Sequence, residues 1–125
     1  MPRKKQKSPF EILTDTIGEA MLEKQAKQPV LLNFIKIGGT VSDAFVVCHG
    51  NSRTQVEAIA ENVITEVKKI TGFNPWHKEG YENAEWILID YSDVVVHIFQ
   101  EERRKFYNLE QLWADAEITK ISEKK

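Results

Sequence analysis

Three histidines, one cysteine and two nearby aspartates, namely His49, His77, His97, Cys48, Asp90 and Asp93, are the side chains of this sequence that could bind a metal or move protons. Their spacing does not favour either use. There is no C-x-x-C, no H-E-x-x-H and no pair of histidines four apart on a helix, so no metal site is expected. Cys48 and His49 are adjacent, and in a strand they point to opposite faces, which separates a nucleophile from its base. As the single cysteine, Cys48 forms no internal disulfide and reads as a small buried hydrophobe. Asp90 and Asp93 could share a proton or an ion if they meet across a turn, although carboxylates at turns more often accept hydrogen bonds from backbone amides. Gly50-Asn51-Ser52-Arg53 lies between an apolar run and a helical pattern, where free N-terminal amides can collect an anion. It is not a Walker sequence, and Ser52 also suits simple helix capping. A nucleotide-dependent transferase is therefore the alternative reading, using the Gly50 to Arg53 loop with Asp90 and Asp93.

The segment Trp86 to Phe99, WILIDYSDVVVHIF, carries a different kind of chemistry. A two-residue turn at Tyr91-Ser92 would pair Asp90 with Asp93, Leu88 with Val95 and Trp86 with His97. One face of that hairpin is aliphatic, with Ile87, Ile89, Val94, Val96 and Ile98, and requires a covering layer. The other mixes Trp86, Leu88, Asp90, Asp93, Val95, His97 and Phe99, as a recognition surface would. Opposed aspartates repel, and a one-residue slip would exchange the faces.

The elements that hold this hairpin follow from periodicity. Phe10, Ile12, Leu13, Ile17, Met21, Leu22 and Ala26 recur at helical spacing between Pro9 and Gln28-Pro29, predicting a helix over 10–27. Val30 to Ile37, ending at Gly38-Gly39, and Ala44 to His49 read as strands. Val56, Ile59, Ala60, Val63, Ile64, Val67 and Ile70 form a stripe that predicts a helix from Arg53 to Thr71, with Ser52 as N-cap and Gly72 past its end. Phe73 to Glu79, interrupted by Pro75, suits an edge strand. Glu101 to Lys105 begins a short helix, and Phe106, Leu109, Leu112 and Trp113 continue at helical spacing, with the last three expected to pack on the sheet. The remaining residues are polar and expected to fray.

With 125 residues, 42% hydrophobic and 29% charged, the chain suits one α/β (α+β) domain, a mixed sheet of about five strands flanked by helices over 10–116, with a basic tail at 1–9 and a polar tail at 117–125. A net charge of -2 gives no global drive toward nucleic acid. Arg3, Lys4, Lys5 and Lys7 nevertheless crowd the beginning, either as a solvated tail or as a contact to RNA. No apolar signal core follows them and no run reaches the length of a membrane span, so a cytosolic protein without membrane association is expected.

Three blocks together resemble a known family: His49 to Val63 (HGNSRTQVEAIAENV), Glu85 to Phe99 (EWILIDYSDVVVHIF) and Arg104 to Trp113 (RKFYNLEQLW) are similar in order and spacing to the ribosomal silencing factor family, also called RsfS or Iojap. The resemblance implies a fold like that of nucleotidyltransferases in outline, without enzymatic activity and without a cofactor. It implies binding to the large ribosomal subunit through its protein numbered fourteen, at the face where the small subunit docks, so that subunit joining is blocked and translation repressed. Trp86 matches the family's tryptophan and leads the partner-binding candidates, which also include Leu88, Asp90, Val95 and His97 on the mixed face. Arg53, Arg104 and Tyr107 match further family positions. Trp86 could instead pack under the C-terminal helix, and the mixed face could pair with itself in a homodimer. The family commonly has glycine where Ser92 stands, and a positive φ there would strain a residue with a Cβ.

Overall fold

The computed structural model describes residues 6–40 and 42–122. The proposed RNA-contacting cluster Arg3, Lys4 and Lys5 lies outside the described residues. Among the described residues six strands, β1 (Lys27–Asn33), β2 (Ala44–Gly50), β3 (His77–Glu79), β4 (Trp86–Asp90), β5 (Val94–Gln100) and β6 (Glu117–Lys120), form one mixed sheet in the order β3-β4-β5-β2-β1-β6, and four helices cover it.

Helix α1 (Pro9–Glu23) opens with a capping box. Ser8 Oγ accepts from the Glu11 amide at 3.1 Å, and the Glu11 carboxylate accepts from the Ser8 amide at 2.9 Å. It closes before the predicted limit of Lys27, because Gln25 takes a left-handed conformation (φ 61°). The Ala26 amide then bonds to the Met21 carbonyl and the Gln25 amide to that of Leu22, a Schellman ending. The chain freed by this stop enters β1 (Lys27–Asn33) earlier than expected, through a bulge between Lys27 and Val30. β2 (Ala44–Gly50) returns antiparallel to β1.

Helix α2 (Arg53–Thr71) has the expected bounds, with Ser52 Oγ capping the Gln55 amide and Gly72 left-handed beyond the end. Val56, Ile59, Ala60, Val63 and Val67 are buried, while Ile70, the last member of the predicted stripe, is exposed. The edge strand β3 (His77–Glu79), β4 (Trp86–Asp90) and β5 (Val94–Gln100) follow, with β5 parallel to β2 at the centre of the sheet. α1 and α2 cover the aliphatic face, where Ile87, Ile89, Val94, Val96 and Ile98 are buried with Ile17, Met21 and Ile59. Burial of each such side chain stabilises the fold by roughly 1.5–3 kcal/mol.

The opposite face carries a second, smaller core under α3 (Glu101–Tyr107) and α4 (Leu109–Leu112). Two expectations are corrected here. The polar end does not simply fray, because Glu117–Lys120 forms β6 antiparallel to β1 and raises the strand count to six. An exposed edge strand needs little apolar content, which hides it from a hydrophobic pattern. Leu112 does not pack on the sheet: Asn108, left-handed at φ 47°, breaks the helical phase between Phe106 and Leu109. Leu109 is buried and Trp113 packs at the margin of this core, but Leu112 is 70% exposed.

Candidate functional site

The hairpin register differs from the expected one. Trp86 pairs with Phe99, Leu88 with His97 and Asp90 with Val95, so the tip is Ser92-Asp93 rather than Tyr91-Ser92. Asp90 and Asp93 are thereby not opposed. Asp90 Oδ1 accepts from the Ser92 amide at 2.7 Å, and the Asp93 amide reaches the Tyr91 carbonyl at 3.0 Å around Ser92 at φ 77°. Relief of the carboxylate repulsion favours this register. Because the partner moves by two residues, the side chains of β4 and β5 keep their predicted faces, while Asp93, expected on the mixed face, lies in the turn.

Cross-strand pairing extends that face over the sheet. One row runs His77, Asp90, Val95, Phe45, Leu32 and Ile118, and the next runs Glu79, Leu88, His97, Val47 and Val30. At its centre Trp86 Nε1 donates to His97 Nδ1 at 3.0 Å. The Trp86 ring lies 4.9 Å from Phe99 and 4.6 Å from Tyr107 of α3, between centroids. Trp86 is half-buried, so it both packs beneath α3 and reaches the surface. His97 is 4% exposed, and burial pushes its pKa down to about 4. With Nδ1 accepting, its proton sits on Nε2, which has no hydrogen-bond partner among the described residues.

The remaining candidates separate by environment. Val95 is buried, whereas Leu88 and Asp90 are partly exposed beside the open edge of the face. Tyr107 is exposed at its rim. Arg53 is exposed elsewhere, bonded to the Glu82 carbonyl at 2.7 Å and the Glu57 carboxylate at 3.3 Å. Arg104 is 6% exposed, and its guanidinium is engaged inside the fold: Nη1 donates to the Lys27 carbonyl (3.1 Å) and His49 Nδ1 (2.9 Å), and Nη2 to Glu110 (2.9 Å). Burial, and then the adjacent Arg104 charge, push the His49 pKa down.

Two surface residues escaped the sequence reading. Phe106 is 74% exposed next to Tyr107, with their ring centroids 5.1 Å apart, and Leu112 is exposed on α4. Their signal was a large apolar residue on a helix too short to bury all its faces, which periodicity alone could not separate from core. Phe106 adjoins Tyr107, which packs on Trp86, and Leu88 lies on the same face level with the acidic Glu79, giving that face an apolar and aromatic margin. Such a surface can dock a protein through aromatic anchors.

The transferase constellation is not assembled. Gly50 is level with Gln100 on β5, while Asp90 is level with Val95, placing them at opposite ends of the sheet, about 17 Å apart along the strand. The Gly50 loop is filled by the chain itself. Gln55 accepts from the Asn51 amide at 2.8 Å and donates to the Lys24 and Gln25 carbonyls at 3.2 and 2.9 Å, tying the end of α1 to the start of α2. Cys48 is fully buried, and desolvation pushes its thiol up to about 12. No group of three acidic, histidine or cysteine side chains that could hold a metal occurs among the described residues. None of the described helices is long and apolar enough to cross a membrane.

The chain is similar to known proteins over most of its length. The model of a family described as ribosomal silencing factor during starvation matches residues 6–125. A ribosomal silencing factor RsfS from Halalkalibacterium halodurans is 46% identical over 105 residues, covering 82% of this chain and 86% of that protein. The RsfS of Bacillus subtilis is 39% identical over 99 residues, covering 79% and 82%. A crystal structure of a Chromobacterium violaceum protein superposes with a TM-score of 0.80 at 30% identity, over 86% of this chain and 88% of that one.

Proposed function

From the premise that the chain belongs to the family of ribosomal silencing factors, we propose that it binds the large ribosomal subunit and blocks subunit joining. The contact is the mixed sheet face, the partner is the subunit protein numbered fourteen, and the effect on translation is steric rather than chemical. The setting is the bacterial cytoplasm. The observation that carries this reading is the aromatic margin of the mixed face. Trp86 is held by His97, Phe99 and Tyr107, and exposed Phe106 and Leu112 lie on the helices beside it. A rigid aromatic with apolar neighbours supplies contact area at low entropic cost, and Asp90 adds a charge for a basic partner.

The test is sedimentation with isolated large subunits, isolated small subunits and whole ribosomes. The wild type is expected with large subunits alone. Trp86→Ala is expected to release the protein, and the double variant Phe106→Glu/Leu112→Glu separates lost contact from lost packing because both side chains are exposed. Undiminished binding of both variants would remove this face from the mechanism, and absence of wild-type binding to any particle would remove the function itself.

A further inference from the structure

The far edge of the sheet carries a second surface, on the opposite face and the opposite edge from the mixed hairpin. Between α1 and β6 lies an open groove of about 740 Å³, with Leu22, Leu31 and Ile121 supplying apolar surface and Asp15, Glu19 and Glu23 lining its helical side. We propose that this groove takes an extended, lysine- or arginine-rich peptide segment of another protein, added alongside β6 as a further strand.

Three features on this edge converge on that occupant. The three carboxylates recur every four residues on α1, a spacing of about 6 Å. Alternate side chains of an extended strand recur at about 6.8 Å, so a peptide with basic residues at every second position meets the row in step. The row repels a nucleic acid backbone and attracts a cationic chain.

The second feature is the backbone of β6. The Ile121 amide bonds to the Pro29 carbonyl at 2.9 Å, and β6 pairs Thr119 with Leu31 and Lys120 with Val30. Antiparallel alternation therefore turns the N–H and C=O groups of Thr119 toward β1 and those of Ile118 and Lys120 outward. Among the described residues those outward groups lie on an edge of the sheet with no further strand beside it, where a peptide strand can hydrogen-bond.

The third is a cation already seated on the row. Lys7 forms an ion pair with Asp15, and its pKa is raised by the hydrogen bond and charge of Asp15. Glu23 accepts from Asn62 at 2.8 Å, and Glu19 has no ion-pair partner within 4.0 Å among the described residues. The centre of the row is open.

The experiment is fluorescence anisotropy at low ionic strength with the full chain and a labelled eight-residue peptide of alternating lysine and threonine. The wild type is expected to bind it and not the matching glutamate–threonine peptide. Glu19→Lys is expected to weaken binding about tenfold or more. Lys120→Pro removes an outward N–H without touching the ladder to β1 and is expected to abolish binding, whereas Lys120→Ala, which removes the same charge, leaves it intact. Thermal melts check that each variant stays folded, and Glu19→Lys, on an exposed helix face, keeps the test decisive if the proline variant does not. No binding by the wild type, or equal binding by Glu19→Lys, overturns the proposal. So does a gain of about tenfold on reversing Lys4 and Lys5 to glutamate, which would assign the groove to the chain's own basic end. A dimer lost in Lys120→Pro by light scattering would assign it to a second copy and equally overturn it. Glu19 lies on α1 over the opposite face, and Lys120, level with Val30 on the mixed face, sits at the far edge of the sheet from the hairpin, so failure here leaves the subunit-binding reading to its own sedimentation test.

Discussion

At the scale of single residues, the most consequential group is His97, a neutral imidazole held as an acceptor for Trp86. Its pKa falls to about 4 in the fold from an ordinary value of 6.5, so the unfolded chain binds the proton more readily between those limits. The stability contributed by keeping it neutral is complete above pH 6.5 and is lost as the pH falls toward 4, amounting to about 3 kcal/mol. Protonation of Nδ1 also removes the acceptor for Trp86, so acid should loosen the tryptophan before the whole fold gives way. Urea unfolding measured across this range is expected to give a slope that His97→Phe largely removes, with His49, lowered in the same direction, leaving the remainder. An unchanged slope in the variant would place the acid sensitivity elsewhere. The sequence named His97 and Trp86 as neighbours on one face, but not their bond, because that depends on rotamers set by Phe45 and Phe99. It also exposed Arg104 as a family position without its burial. Arginine is almost never fully buried unless paired, and its partners come from β1, β2 and α4, far apart in the chain.

At the scale of elements, the hairpin shows why a face can be legible when the register is not. The period of two fixes which side chains share a side, and a shift of two preserves it, whereas turn chemistry decides where the chain reverses. Carboxylate repulsion and the Asp90-to-Ser92 hydrogen bond moved the tip to Ser92-Asp93, leaving Ser92 at φ 77°. A residue with a Cβ is strained there, while glycine is not. Ser92→Gly is therefore expected to stabilise the protein by roughly 0.5–1 kcal/mol, the released strain exceeding the added chain entropy. The midpoint of urea unfolding reads this directly; a lower midpoint would mean that the serine conformation carries no strain. The long α2 was legible to its ends because its stripe, cap and terminal glycine all agree. β6 was not, since its four residues alternate little and owe their position to β1.

At the scale of the whole molecule, the two sheet faces are built unequally. The aliphatic face is sealed by two long helices, whereas the helices that cover the mixed face among the described residues are α3 and α4, of seven and four residues. Helices so short have little stability of their own, and their position must come from tertiary contacts. Arg104 supplies them, joining α3 to the Lys27 carbonyl of β1, to His49 of β2 and to Glu110 of α4. It therefore also holds Tyr107 against Trp86, although its own guanidinium is turned away from the surface. Replacing it by methionine keeps much of the apolar stem but leaves Glu110 and the Lys27 carbonyl without their donor, at an expected loss of about 3 kcal/mol. Lysine should not restore it, since one ammonium cannot reproduce the planar fork that reaches three acceptors. Hydrogen exchange locates the effect: amides of 101–112 should exchange faster in Arg104→Met while those of α2 stay slow. The proposed large-subunit binding should fall with them, because the aromatic margin loses its backing before the sheet is disturbed. Unchanged exchange in 101–112 would mean that Leu109 and Tyr107 hold the helices by packing alone, and Arg104 would then have no part in shaping the docking face.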